Sequence, residues 1–234
     1  MGLLIKYPFN DKFYGTSQTG YLQRNYSADT PELLDYHDYS EAFDLFYIYT
    51  SKLDLIAGYR IRYSQVDGGP DTYDHWFNVG ATGSILAKLN GTLRVGYEIR
   101  ELTGGPSYDH FNVAVALNWI VNRKFTLTGQ LTRDFNTIAT GASVDTTIAA
   151  LIGNYSFTRK WQMTGELSYG RNLFLTIAPP DRRDDFVSAK LGVEYKINDK
   201  FRAGAHYGYF KNWSTLSLSD FDRHEYSVNL SCRF

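Results

Sequence analysis

The chain closes on Tyr226-Ser-Val-Asn-Leu-Ser-Cys-Arg-Phe234. Successive side chains of an extended strand point to opposite faces. Tyr226, Val228, Leu230, Cys232 and Phe234 therefore share one face, and Ser227, Asn229, Ser231 and Arg233 the other. One face is apolar and the other polar, the pattern of a strand between two unlike environments. The same period recurs upstream. Phe125, Leu127, Gly129 and Leu131 alternate with Thr126, Thr128, Gln130 and Thr132, and Val187 to Ile197 alternate with Ser188, Lys190, Gly192, Glu194 and Lys196.

An internal repeat organises these strands. Gly68-Gly-Pro-Asp-Thr-Tyr-Asp-His-Trp-Phe-Asn-Val79 is echoed by Gly104-Gly-Pro-Ser-Tyr-Asp-His-Phe-Asn-Val113, two residues shorter. An Asp near a strand start recurs at Asp38, Asp74, Asp109, Asp145, Asp185 and Asp222, with gaps of 36, 35, 36, 40 and 37. Each unit reads as two strands with a tight turn between them. The tight turns are assigned to Ser51-Lys52, Leu89-Asn90-Gly91, Asn122-Arg123, Thr158-Arg159 and Asn198-Asp199, whose composition suits short hairpins. Longer polar connections fall near 27–37, 67–73, 103–108, 137–143, 174–184 and 214–222. Counting through predicts twelve strands over residues 11–234, beginning near Phe13, with the first strand paired to the last and residues 1–10 as an N-terminal extension.

Composition removes several classes. Aromatic residues make up 16% of the chain and Gly 20 of its 234 residues, which favours strands and turns over helices. A mean hydropathy of −0.35 fits a wall that alternates lipid-facing and lumen-facing positions. No apolar run of about 18 residues is present, so a transmembrane helix is excluded. The net charge of −1 argues against a nucleic-acid partner, which calls for a basic stripe. Cys232 stands alone and reads as a small lipid-facing residue. Met1-Gly-Leu-Leu-Ile-Lys6 has no useful apolar core for a secretion signal, and Lys6 breaks the myristoylation pattern. Met1 is therefore expected to be an added start residue on a mature chain or a barrel fragment.

The closing strand resembles the terminal strand of Gram-negative outer-membrane β-barrels, which ends in Phe or Trp after alternating apolar residues. That resemblance implies an all-β, closed antiparallel barrel in the bacterial outer membrane, with short periplasmic turns and longer extracellular loops. It also implies that Tyr226, Val228, Leu230 and Phe234 form the signal read by the barrel-assembly machinery. Within this class, Asp222-Arg-His-Glu-Tyr-Ser-Val-Asn-Leu-Ser-Cys-Arg-Phe234 and Gly204-Ala-His-Tyr-Gly-Tyr209 resemble the putative β-barrel porins often associated with exopolysaccharide export. Members of that family are longer, which implies a reduced barrel or a removed N-terminal region. By strand number alone, the chain is also similar to twelve-stranded channels for acidic oligosaccharides, a fold analogy that transfers no residues.

Alternation does not say which face is inside; aromatic placement does. Tyr47, Tyr49, Trp119, Tyr155, Phe157, Trp161, Tyr195 and Phe201 lie near the short turns, where a periplasmic girdle belongs. Tyr73, Trp76, Phe77, Tyr108, Phe111, Phe135, Phe186, Tyr209, Trp213 and Tyr226 are expected in the outer girdle. The inward phase then collects the candidate pore-lining residues Arg60, Arg62, Arg94, Glu98, Arg100, Glu166, Lys190, Glu194 and Arg202, with Asp134, Lys196, His206, Glu225 and Arg233 beside them. The favoured reading is a narrow channel for small polar solutes, anionic or saccharide in kind, with the arginine arc setting an anion preference. The alternative is a structural or partner-docking barrel stapled by Arg-Glu pairs that conducts little.

Other motifs add little chemistry. Asp74-His75 and Asp109-His110 place neighbours on opposite faces, so neither pair converges on one ion, and both read as strand-exit markers. Asp67, Asp71, Asp181, Asp184 and Asp220 read as solvated loop charge, with cation bridges to lipopolysaccharide as the functional alternative. No nucleophile-base constellation is evident, so an enzyme is not expected, nor a cofactor or a protein-bound metal. The expected partners are outer-membrane lipid, lipopolysaccharide, the assembly machinery and small polar solutes.

Overall fold

The computed structural model describes residues 2–26, 33–176 and 182–232. It contains thirteen strands: β1 (Gly2–Pro8), β2 (Phe13–Arg24), β3 (Tyr36–Thr50), β4 (Leu53–Val66), β5 (Thr72–Leu86), β6 (Leu89–Leu102), β7 (Ser107–Ile120), β8 (Phe125–Thr137), β9 (Ser143–Ser156), β10 (Trp161–Phe174), β11 (Arg183–Lys196), β12 (Phe201–Ser214) and β13 (Phe221–Cys232). They form one sheet whose spatial order is the sequence order, with every neighbouring pair antiparallel.

The count is thirteen, not the predicted twelve. Residues 2–8, expected as an extension, are the first strand, and they pair with β2 from Gly2↔Gly20 to Pro8↔Tyr14. The sequence carries a signal for this strand. Asn10-Asp-Lys-Phe13 is identical to Asn198-Asp-Lys-Phe201. In both turns the Asn Oδ1 accepts the backbone N–H groups of the Lys and the Phe, at 2.8 and 3.0 Å in the first and 2.9 Å for each in the second. Such an Asx turn reverses a chain already extended, so it requires a strand before Asn10. Thirteen alternating strands also change the edges. β1 and β13 run in the same direction, and among the described residues no ladder joins them, contrary to the expected first-to-last pairing.

A second correction concerns the turn placed at Leu89-Asn90-Gly91. These residues begin β6, and the reversal lies at Ala87-Lys88. Gly91 belongs to the ladder, with φ 148°, and a Cβ there would lie 2.0 Å from the Ala116 carbonyl oxygen of β7. It marks close backbone approach, not a turn.

The two faces have the expected polarity. Odd-numbered residues of β2–β12 and even-numbered residues of β13 form the outward face, where Phe77, Val79, Leu167 and Val228 are 54%, 58%, 57% and 87% exposed. The opposite face carries Asp74, Glu98 and Arg100 fully buried. Exposed apolar and buried charged residues invert the soluble pattern and match a wall that faces lipid. Tyr73, Phe77, Phe111, Trp213 and Tyr226 are exposed on the outward face, as the outer girdle requires. Trp76, Tyr108, Phe135 and Phe186 do not join them. Trp76, Tyr108 and Phe186 have the inward phase, and Phe135 is buried by the departure of β8 described below.

Candidate functional site

β7 and β8 pair over eight positions only, from Val113↔Arg133 to Ile120↔Thr126, whereas β6 and β7 pair over thirteen. Beyond Arg133, β8 leaves β7 but remains paired with β9 as far as Thr137↔Ser143. The hairpin tip crosses the inner face of β3–β7, and the Leu34 N–H donates to the Ala139 carbonyl at 2.8 Å. Gly141, with φ 76°, passes where a Cβ would lie 2.9 Å from Leu34 and 3.0 Å from Val66. Ala142 and Val144 are buried beneath it.

An ion cluster holds the hairpin. Asp74 of β5 lies between Arg62 of β4 and Arg100 of β6, its direct cross-strand partners. Its Oδ2 accepts from Arg62 Nε at 2.8 Å, Arg62 Nη2 at 2.6 Å and Arg100 Nη2 at 2.7 Å, and its Oδ1 accepts from Arg100 Nε at 2.6 Å. Asp134 and Asp38 add their negative charge near Arg62. Both guanidinium groups also reach the hairpin backbone: Arg62 Nη2 donates to the Phe135 carbonyl at 2.6 Å and Arg100 Nη1 to the Asn136 carbonyl at 2.9 Å. The Phe135 carbonyl, having left β7, thereby gains a charge-assisted bond in place of a ladder.

A second set of side chains joins β8 to β6 and β7. Glu98 Oε1 accepts the Phe135 N–H at 3.2 Å, Glu98 Oε2 lies 2.9 Å from His110 Nε2, and Asn112 Nδ2 donates to the Arg133 carbonyl at 2.5 Å. His110 Nδ1 lies 3.2 Å from Asp145 Oδ2, and the imidazole stacks on Phe135 with centroids 4.0 Å apart. The shortened repeat explains His110. Phe77 and Phe111 are both outward, and Asn78 and Asn112 both inward, so losing the counterpart of Trp76 moves His110 into the inward position. Asp109 consequently faces outward, bonded to the Tyr97 hydroxyl, while His75 faces outward beside the Tyr59 hydroxyl at 2.8 Å.

The remaining candidates divide between two regions. Arg62, Arg94, Glu98 and Arg100 lie in or beside the hairpin region, and Arg100 and Glu98 have no exposure to line a passage. Arg94 is bidentate to Asp44 at 2.7 and 2.9 Å. Arg60 is exposed, 5.5 Å from the Trp76 ring. On β10–β13 the inner face stays open, with a recess of 430 Å³ lined by Thr164, Glu166, Lys190, His206, Glu225 and Ser227. Glu194 and Arg202 lie toward the short turns with Lys196 and Arg159. A larger hollow, 950 Å³, is apolar and lies on the outward face around Phe43, Tyr59, Phe77 and Val79, so it belongs to the lipid-facing wall. Tyr226, Val228 and Leu230 are exposed on the outward face of β13, whereas Phe234, Arg233 and Asp181 lie outside the described residues. Among the loop carboxylates, Asp71 accepts from the Tyr63 hydroxyl and Asp184 from Arg182 and Ser214.

These features agree with the comparisons. Residues 71–234 match the family model described as "Putative beta-barrel porin 2". The chain belongs to that family. Among solved structures it is similar to a loop L8 deletion mutant of OmpT, an outer membrane protein of Vibrio cholerae, at 14% identity and TM-score 0.50, covering 99% of this chain and 89% of that one. It is also similar to the FrpB iron transporter of Neisseria meningitidis, F3-3 variant, at 10% identity and TM-score 0.69, covering all of this chain but 48% of that one, so it spans about half that protein's length. The NanC porin aligns at 9% identity and TM-score 0.41, over 100% of this chain and 99% of that one. No curated protein sequence matches. The protein is an outer-membrane barrel protein of porin type.

Asp74→Asn is expected to lower stability by about 3–5 kcal/mol, because two buried guanidinium groups lose their carboxylate. Lys190→Gln, which removes the exposed 3.3 Å pair with Glu166, is expected to change it by no more than about 1 kcal/mol. Urea unfolding of the refolded protein in detergent measures both; equal effects would contradict the assignment of the cluster.

Proposed function

We propose that the protein gives passive passage to small polar solutes, saccharides among them, along the inner face of β10–β13, while the β8–β9 hairpin fills the β3–β7 side. On this reading the short turns lie in the periplasm and the long loops outside. The sheet closes in the membrane, because a bilayer offers no water to the edge N–H and C=O groups of β1 and β13. If those edges meet, their seam is parallel. The observation that carries the proposal is the division of the inner face: one side is sealed by backbone and buried ion pairs, the other is open and polar.

The pairing of the arginines bears on solute charge. An arc of free Arg62, Arg94 and Arg100 would favour anions, but each is committed to Asp74 or Asp44, leaving Arg60 exposed. On β10–β13, Glu166, Glu194 and Glu225 stand against Lys190, Lys196 and Arg202. Mixed charge with abundant hydroxyl and amide groups suits uncharged hydroxyl-rich solutes and gives little preference between small ions. The closing strand retains its proposed role in assembly, supported by the exposed outward row Tyr226, Val228 and Leu230 of β13.

In planar bilayers the protein is expected to conduct with a reversal potential near zero in a salt gradient. Removing residues 137–141 from the hairpin tip is expected to raise the conductance. No conductance in either form would leave the structural, partner-docking barrel as the better reading. Deleting Phe234 is expected to lower the amount of heat-modifiable protein reaching the outer membrane while leaving detergent refolding intact; equal membrane yields would count against the assembly signal.

A further inference from the structure

Six short turns connect each odd strand to the following even one, and they share one residue. Lys12, Lys52, Lys88, Lys124, Lys160 and Lys200 stand immediately before Phe13, Leu53, Leu89, Phe125, Trp161 and Phe201, the first residues of β2, β4, β6, β8, β10 and β12. The spacings are 40, 36, 36, 36 and 40 residues. Backbone requirements do not select the side chain. The carbonyls of Lys12, Lys52, Lys88, Lys124 and Lys160 accept the N–H groups of Ile48, Ser84, Ile120, Ser156 and Lys196 at 2.7–2.8 Å, a bond any residue can accept. The turns also differ in length and composition, from Ser51-Lys52 to Asn122-Arg-Lys124, yet lysine recurs in all six.

The six side chains are exposed, and none forms an ion pair with a described residue. Lys124 Nζ donates to the Phe157 carbonyl at 3.4 Å. Arg123 and Arg159 extend the same rim, whose acids are Asp11 and Asp199, the latter held 2.6 Å from Lys196. Eight cations against two carboxylates, in a chain of net charge −1, concentrate positive charge at one end of the sheet. The residue after each lysine is large, apolar and in the outward phase. Each turn therefore presents an ammonium directly beside a side chain that enters lipid.

We propose that this lysine rim binds the phosphates of anionic phospholipid headgroups in the leaflet that the short turns enter. A flexible lysine beside a lipid-embedded ring or leucine reaches the headgroup layer without leaving apolar contact. The placement favours lipid over a soluble acidic protein. The lysines occur once per hairpin, roughly 10 Å apart at two strand widths, and follow the wall, whereas a protein partner would need them gathered in one patch. Each cation near an anionic surface adds to the attraction, and salt weakens it.

The full chain is refolded into vesicles of phosphatidylcholine alone and of phosphatidylcholine with phosphatidylglycerol, and the temperature of the heat-modifiability transition is read on gels. Phosphatidylglycerol is expected to raise that temperature for the parent and for a protein with all six lysines changed to Arg. The rise should vanish when all six are changed to Gln, and should shrink for the parent in high salt. An undiminished rise in the Gln protein would overturn the proposal. Should the Gln protein fail to refold, a rise in the parent that salt leaves unchanged would do the same. Inorganic phosphate reproducing the rise in phosphatidylcholine alone would reassign the rim to free phosphate. A defect of the Gln protein confined to cells, with no dependence on vesicle lipid, would reassign it to an acidic periplasmic partner.

Discussion

One carboxylate governs the inner face. Asp74 accepts four hydrogen bonds from Arg62 and Arg100 and so fixes three adjacent strands at one level. Both guanidinium groups have donors left over beyond their own ladder, and they give them to carbonyls of a hairpin more than thirty residues away in sequence. A buried charge network of this kind is tolerated because each member is paired and hydrogen-bonded. Its consequence is specificity of arrangement more than net stability.

The hairpin and the lipid-facing wall answer the same physical demand in different places. Backbone polar groups in a bilayer need partners, and thirteen strands supply them laterally, except at the β1 and β13 edges and where β7 and β8 part. Where β7 and β8 part, the side chains of Glu98, Asn112 and Arg62 bond the backbone of β8 in place of the ladder, and the parted segment is directed inward and away from lipid. On the outward face, Ser17 and Thr19 donate to Glu41 at 2.6 and 2.5 Å, so polar positions of β2 that look unsuited to lipid are satisfied locally. The inner face is thus divided between a rigid sealed side and an open polar side.

The alternation and the repeat made most of this legible. Twelve of the thirteen strands, β2–β13, were anticipated from period-two patterning between turn signals, and the face assignment followed from aromatic position. β1 was missed because Gly2–Pro8 is short and barely alternates, although the duplicated Asn-Asp-Lys-Phe turn pointed to it. The inward phase of Arg62, Arg94, Glu98 and Arg100 was readable, but their partners were not: Asp74 and Asp44 lie on neighbouring strands, and the hairpin contacts span 36 to 73 residues. Nothing in the local pattern of β8 announces that it leaves the wall at Arg133. The one-residue deletion that turns His110 inward was visible in the repeat and becomes meaningful only with the register known.

The position of the hairpin tip is the claim on which the divided inner face rests. Spin labels at Leu34→Cys and Ala139→Cys in a Cys232→Ser background, measured by double electron–electron resonance in detergent and in bilayers, test it directly. A tip lying across the inner face predicts one short, narrowly distributed separation, as the 2.8 Å backbone contact between these residues requires. A long separation comparable to the width of the wall would place the hairpin upright beside β7 and contradict the account.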